Sequence, residues 1–391
     1  MRLNPIFSSL PTTVFERMSG LARAHDAINL GQGFPDGEEP QDLLQAAARA
    51  LTERPNQYAP SRGLPELRAG VADFYNRHDG LGLSDQNVIV TSGATEGLCA
   101  ALLAVISPGD EVIIIEPAYD AYRPLIERAG GLVRTVALSP PQWRIDRDLL
   151  ERAVTSRTRA VVFNNPLNPA GRAFDLDEVE AVAGLCRDHD LVAISDEVWE
   201  RLVFDGRRHI ALASRPGMAE RTLKVGSAGK LFGLTGWKIG FLVGEGPLLE
   251  AAAKAHQFIT FASAPNLQLA VAEGLAWPEE RFEAQALAHG RSRDVLARAL
   301  VRHGYVVLPS QATYFLCVDL AASGIDLGAA EFAEWAVRHH GIAAIPVSAF
   351  MSSGEGQSIL RLCFAKPDGV LERAAQRLGE ARRAFLGPVP A

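Results

Sequence analysis

Short apolar runs alternate with amphipathic stretches along most of the chain, with no internal repeat and no low-complexity tract. Strand-like runs begin near Asn87, Glu111, Arg159, Leu191, Thr222 and Lys238, separated by helical patterns or short turns. Such alternation predicts a largely parallel sheet covered by helices on both faces. The run Leu191 to Ser195 reads as a buried strand. After Pro247 a helical stretch runs to about Thr260, and another beyond Pro278 reaches about Arg302, near which the architecture changes. The last third holds β-like segments at Tyr305 to Leu308, Thr313 to Leu320 and Ile359 to Phe364, with helices at Ala329 to His340 and Gly369 to Leu386. That mixture predicts a separate α+β unit.

Candidate chemistry gathers where the strand-like runs end. Ser227-Ala228-Gly229-Lys230 is followed by Thr235-Gly236-Trp237-Lys238-Ile239-Gly240, which sets two cations around a small-residue turn behind a hydroxyl. An amine with little local charge and partial burial gives up its proton readily, as a Schiff base requires. The segment also fits a glycine-rich surface turn with solvated lysines. A nucleotide-binding loop fits poorly, because Leu231 stands where a hydroxyl for a magnesium ion belongs and the glycine spacing fails.

A Schiff-base cofactor of the pyridoxal phosphate type makes three further demands. Its pyridine nitrogen needs a carboxylate, and Asp196 follows the strand-like run Leu191 to Ser195, where ligands of open α/β sheets sit. Its phosphate needs free amides at a helix start, which Thr91-Ser92-Gly93-Ala94-Thr95-Glu96-Gly97 offers before the apolar run Leu98 to Ile106. Its phenolic oxygen needs a donor. Asn164-Asn165-Pro166-Leu167-Asn168-Pro169-Ala170-Gly171 offers amides, and the prolines restrict the residue before each of them, so Asn168 is held in a defined place. Taken singly, these stretches also fit a helix cap, a plain helix N-terminus and a rigid turn.

With these pieces in order, the sequence resembles the class I/II aminotransferases of the aspartate aminotransferase superfamily, and within them the kynurenine, glutamine and methionine aminotransferase branch. The resemblance runs from Leu30-Gly31-Gln32-Gly33-Phe34-Pro35-Asp36 through Asn56-Gln57-Tyr58-Ala59-Pro60 and Ile345-Pro346-Val347-Ser348 to Arg361-Leu362-Cys363-Phe364-Ala365-Lys366. It implies the fold of type I pyridoxal-phosphate enzymes. Residues 56–278 would form a large cofactor domain with a mostly parallel seven-stranded sheet, and residues 279–391 a smaller α+β domain. Residues 1–55 would supply an N-terminal arm and part of the small domain.

The same resemblance implies residue roles. Lys230 would carry the cofactor and shuttle the proton, and Asp196 would pair with the pyridinium. Asn168 would bond the phenolic oxygen and Tyr119 would lie on the ring face. Ala94, Thr95, Ser227 and Lys238 would hold the phosphate, with Tyr58 reaching it from a second subunit of a homodimer. Arg361 would grip the substrate carboxylate beside Gly33 and Asn168, and Phe34, Phe261 and Phe350 would line an apolar pocket. The implied activity is transfer of an amino group from an aromatic or methionine-like amino acid to a 2-oxo acid. One departure stands at Trp199, where the family usually has a tyrosine whose hydroxyl bonds the phenolic oxygen. An indole only donates, so Trp199 either donates from its ring nitrogen or packs. The departure leaves a lyase or biosynthetic enzyme on the same scaffold as the alternative.

Composition sets outer bounds. The 391 residues, 48% of them apolar, suffice for two cores, and a net charge of −7 without basic clusters argues against nucleic acid or anionic membranes as partners. The longest apolar runs fall short of a membrane span, and Met1 to Pro5 begins no signal peptide, so the cytoplasm is the expected location. Cys99, Cys186, Cys317 and Cys363 lie scattered in apolar segments and read as reduced, buried thiols. His339 and His340 point about 100° apart on a helix, which disfavours metal chelation.

Overall fold

A computed structural model describes residues 3–352 and 356–386. Met1 and Arg2, at the start of the segment read for a signal peptide, lie outside them. Thirteen strands occur among the described residues: β1 (Ile28–Asn29), β2 (Val88–Ser92), β3 (Glu111–Glu116), β4 (Leu132–Ala137), β5 (Thr158–Asn164), β6 (Val192–Asp196), β7 (Thr222–Ser227), β8 (Ile239–Val243), β9 (Val306–Val307), β10 (Phe315–Asp319), β11 (Ile342–Ala343), β12 (Ile345–Pro346) and β13 (Ile359–Cys363). Seven of them form the central sheet in the order β2-β8-β7-β6-β5-β3-β4. All neighbours in it are parallel except β8, which runs antiparallel to both β2 and β7.

Two of these strands were hard to read from the pattern. Strand β4 is at the sheet edge with only Val136 fully buried, and Arg134 and Thr135 interrupt its apolar run. The run read as starting at Lys238 begins at Ile239, because Lys238 itself adopts a left-handed φ of 54° that no strand tolerates. The central strands β3, β5, β6, β7 and β8 are buried almost throughout, as expected for a sheet with helices on both faces.

A second sheet, β12-β13-β10-β9, is antiparallel and pairs Cys317 with Arg361 across β10 and β13. The helices Ala329–His340 and Asp368–Leu386 bury apolar faces in the same core. Residues 14–30 join this unit, whereas the helix Gln41–Glu53, expected with them in the small domain, packs Leu43 into a core of the large sheet beside Val90 and Phe241. Strand β1 pairs in parallel with β11, Ile28 opposite Ile342, and Met18 and Ala22 of the helix Val14–Ala24 enter its core. The carboxyl ends of β5, β6 and β7 therefore face a wall made from both extremes of the sequence.

Candidate active site

A cavity of about 650 Å³ opens between the two sheets. Every site residue singled out from the sequence lines it except Tyr58 and two of the apolar-pocket candidates, Phe261 and Phe350. Strand register explains the convergence. Asn164 pairs with Asp196 across β5 and β6, and Asp196 pairs with Val225 across β6 and β7. Three consecutive strands thus deliver their ends to one place.

Lys230 follows β7 on the short helix Ala228–Leu231, which Ser227 caps by accepting from the Lys230 amide at 3.4 Å. Its Nζ donates to the Gly33 carbonyl at 3.2 Å and lies 3.2 Å from Tyr314 Oη. The ammonium also sits 5.0 Å from the centre of the Trp199 ring. Burial lowers its pKa to about 8; the positive charges of Arg361 and Lys238 push the same way, against Cys363 and Asp196.

Asp196 is fixed by its neighbours on one side only. Tyr122 Oη donates to Oδ2 at 2.5 Å, whereas Oδ1 is buried without a partner. Its backbone carbonyl accepts from Asn164 Nδ2 at 2.9 Å and from the Asn165 amide at 3.1 Å. Burial raises the carboxyl pKa to about 6, with the Tyr122 hydroxyl and the Val198 amide opposing. A buried acceptor left open inside a cavity awaits a donor.

The anion side is built on close backbone approach. A Cβ on Gly240 would stand 2.4 Å from the Gly93 carbonyl carbon and 2.6 Å from the Ala94 nitrogen, so β8 touches the start of the helix Gly93–Val105 directly. Gly93 takes a φ of +73°, and a Cβ there would meet Lys238 Nζ at 3.0 Å. The ammonium of Lys238 thereby sits at a helix N-terminus whose free amides and dipole already favour an anion. Tyr119 lines the same wall, and burial raises its pKa.

Arg361 closes the opposite end from β13. It donates through Nη1 to Asn168 Oδ1 at 3.1 Å and through Nη2 to the Gly31 carbonyl at 2.7 Å, while Nε has no partner. Gly33 lies close by, but its carbonyl serves Lys230 and Tyr314. The guanidinium carbon lies 4.0 Å from the Phe315 ring centre and 5.2 Å from those of Phe15 and Phe350. Burial lowers its pKa to about 10, which leaves it charged at neutral pH. Phe34 lines the cavity, and Phe350 stands behind Arg361 rather than in the lining. Tyr58 is 88% exposed and packs edge-on against Phe261 at 5.5 Å, away from this chain's cavity.

Pattern reading missed Tyr122, Tyr314 and Phe15. Each is an aromatic in an apolar or amphipathic stretch, where nothing separates a site residue from core. It also missed a buried ion cluster behind β6. Glu197, Glu200 and His209 bring ligand atoms within 4.8 Å of one another in a way that suits a metal. Lys224 Nζ already occupies that position, bonded to Glu197 and, at 2.5 Å, to Glu200. Burial opposes ionisation of Glu197, yet Lys224 and His209 hold its pKa down at about 2.

The residues present fit pyridoxal phosphate at three points: a lysine of lowered pKa, an unpartnered carboxylate oxygen for a pyridinium N–H, and a helix start backed by a lysine for a phosphate. Comparison with known proteins agrees. Residues 25–378 match the family described as aminotransferase class I and II. Methionine aminotransferase of Escherichia coli (strain K12) is 39% identical over 384 residues, covering 97% of this chain and 99% of the relative. A probable N-succinyldiaminopimelate aminotransferase of Mycobacterium tuberculosis is 41% identical over 379 residues, covering 94% and 95%. The solved structure of N-succinyldiaminopimelate aminotransferase from Mycobacterium tuberculosis superposes with a TM-score of 0.93 at 40% identity over 97% of this chain and 100% of that one. With relatives aligned almost end to end, the chain belongs to the class I and II aminotransferases, fold type I enzymes that use pyridoxal phosphate and act on amino acids and 2-oxo acids.

Proposed function

We propose that this enzyme takes its amino group from aromatic or thioether amino acids and that Lys230 moves the proton. The observation that carries the substrate class is the setting of Arg361. Its guanidinium offers an unpartnered Nε to a carboxylate while Phe15, Phe315 and Phe350 surround it and Phe34 lines the adjoining wall. A substrate gripped there by its carboxylate has an apolar surface beside its side chain. Similar proteins include a methionine aminotransferase and a kynurenine–oxoglutarate transaminase.

Pyridoxal phosphate, when bound, supplies an aldehyde that condenses with amines and a protonated ring that withdraws electrons. The chain's residues do the rest. Lys230 would anchor the cofactor through Nζ and, as a neutral amine, would carry the proton taken from the substrate α-carbon to the cofactor carbon joined to the amino nitrogen. Asp196 Oδ1 holds the ring-nitrogen proton. Ala94, Thr95, Ser227 and Lys238 hold the phosphate, Tyr119 lies against the ring, and Asn168 reaches the phenolic oxygen while steadying Arg361. Trp199 packs beside Lys230 and shields it from water.

The active unit is a homodimer, in which Tyr58 of the partner subunit completes the phosphate site. Exposed aromatic surface supports this, since Tyr58 and Phe258 are 88% and 87% exposed and Phe261 stands beside Tyr58. The cytoplasm suits four cysteines that form no disulfide. Adding single amino acids to the loaded enzyme and following the cofactor absorbance tests the substrate class. Methionine and aromatic amino acids should change it rapidly; a response confined to acidic or basic amino acids refutes the class.

A further inference from the structure

Tyr314 has no role in the reading above, yet its hydroxyl is one of two oxygens that touch the Lys230 amine. Backbone and packing both fix it. Thr313, just before it, is held at a left-handed φ of 66°, donates its amide to the Leu202 carbonyl at 2.8 Å and caps the Phe315 amide through Oγ1 at 3.0 Å. The Tyr314 carbonyl accepts from the Phe364 amide at 2.9 Å. Its ring, 1% exposed, meets the Trp199 indole edge-on at 4.4 Å and 89°, and His289 stacks at 6.2 Å.

A phenol has one proton to donate, and Tyr314 gives it to the Gly33 carbonyl. What faces Lys230 Nζ at 3.2 Å is therefore an acceptor lone pair. The Gly33 carbonyl, also 3.2 Å from Nζ, is a second acceptor. Together they hold the ammonium in one direction. Trp199 cannot act in this way, because an indole N–H only donates. Its ring lies under the ammonium and packs perpendicular to the phenol.

We propose that Tyr314 is a positioning residue for Lys230, a phenol in the turn just before β10 that steadies the protonated amine where position 199 has none. The inference rests on the reading of Lys230 as the proton carrier. Charged and titratable groups around the pair are Asp196, Arg361, Lys238 and Cys363 on the lysine side, with His289 behind the phenol. Burial holds the Tyr314 pKa well above its ordinary value, so the phenol stays protonated. An acceptor aimed at an ammonium stabilises the charged form. Removing it must lower the lysine pKa.

The test uses cofactor-free protein and trace acetylation with acetic anhydride, with mass mapping of Lys230 across pH. Wild type should show a midpoint near 8. In Tyr314→Phe the midpoint should fall by about one pH unit, a tenfold change in the protonation equilibrium. In the loaded enzyme kcat should fall about tenfold with the KM for the amino donor unchanged, since Arg361 keeps its contacts. Trp199→Leu, which removes the ring's support but neither hydrogen-bonding partner, should shift the midpoint the same way by less. An unchanged or higher midpoint in either variant overturns the proposal. Borohydride mapping of the cofactor to another lysine would instead defeat the reading of Lys230, without altering the titration.

Discussion

Tyr122 Oη donates to Oδ2 of Asp196 at 2.5 Å, while Oδ1 of that carboxylate is buried with no partner. One oxygen is thus anchored by the protein and the other is aimed into the cavity. The phenol also opposes the rise that burial imposes on the Asp196 pKa. Tyr122→Phe should let that pKa climb, weaken ionisation against the ring nitrogen, and cut turnover by about 10- to 100-fold, the worth of a hydrogen bond to a charged group. Steady-state kinetics, with cofactor affinity from dialysis and reconstitution, check this. A variant with wild-type turnover would show that Oδ2 needs no anchor.

Loading of the cofactor should depend on pH through Lys230. Only the neutral amine attacks an aldehyde, and burial sets its pKa at about 8 rather than near 10.5. The rate at which cofactor-free protein takes up pyridoxal phosphate should therefore rise with pH and level off above about 8 to 9. Stopped-flow absorbance measures it. Lys230→Ala should fold, bind the cofactor without a covalent link, and lose turnover by several orders of magnitude.

Arg361→Lys keeps the charge but gives up the planar fork. Its two bonds, to Asn168 Oδ1 at 3.1 Å and to the Gly31 carbonyl at 2.7 Å, hold the guanidinium plane toward the cavity. A lysine offers a point charge on a flexible stem. The KM for amino donors should rise about 10- to 100-fold, with the cofactor still bound, as substrate titration with an absorbance readout of cofactor content will show.

The buried cluster behind β6 predicts a stability effect. Lys224 Nζ lies 2.5 Å from Glu200, 3.4 Å from Asp79 and 4.6 Å from the Tyr75 ring centre, and it also pairs with Glu197. Lys224→Met leaves buried carboxylates without a counter-charge. A loss of about 3–5 kcal/mol is expected, read as a lower midpoint in denaturant. Because Glu197 is next to Asp196, the variant should also bind the cofactor more weakly.

Sequence showed the chemistry better than its setting. Lys230, Asp196 and Asn168 stand at or shortly beyond strand ends in short motifs of unusual residue types, so the sequence alone singles them out as candidates. Tyr122 and Tyr314 did not, because a tyrosine within an apolar stretch looks like packing until its hydroxyl partner is known. Strand β4 escaped because it is half exposed at the sheet edge. The contribution of the helix Val14–Ala24 to the cavity wall depends on the pairing of Ile28 with Ile342, a contact between opposite ends of the chain that no local window contains.

That long-range pairing divides labour within the cavity. The proposed cofactor anchors stand at and just beyond the ends of the large sheet, whereas Phe15, Glu16, Ser19 and Arg23, all on an 11-residue helix near the amino terminus, line the same cavity from the other unit. On the proposed function, the residues for catalysis and one wall of the substrate pocket are written in separable passages of the gene. A lineage, or an engineer, can revise that helix to admit a new amino acid while leaving untouched the strands on which the chemistry depends.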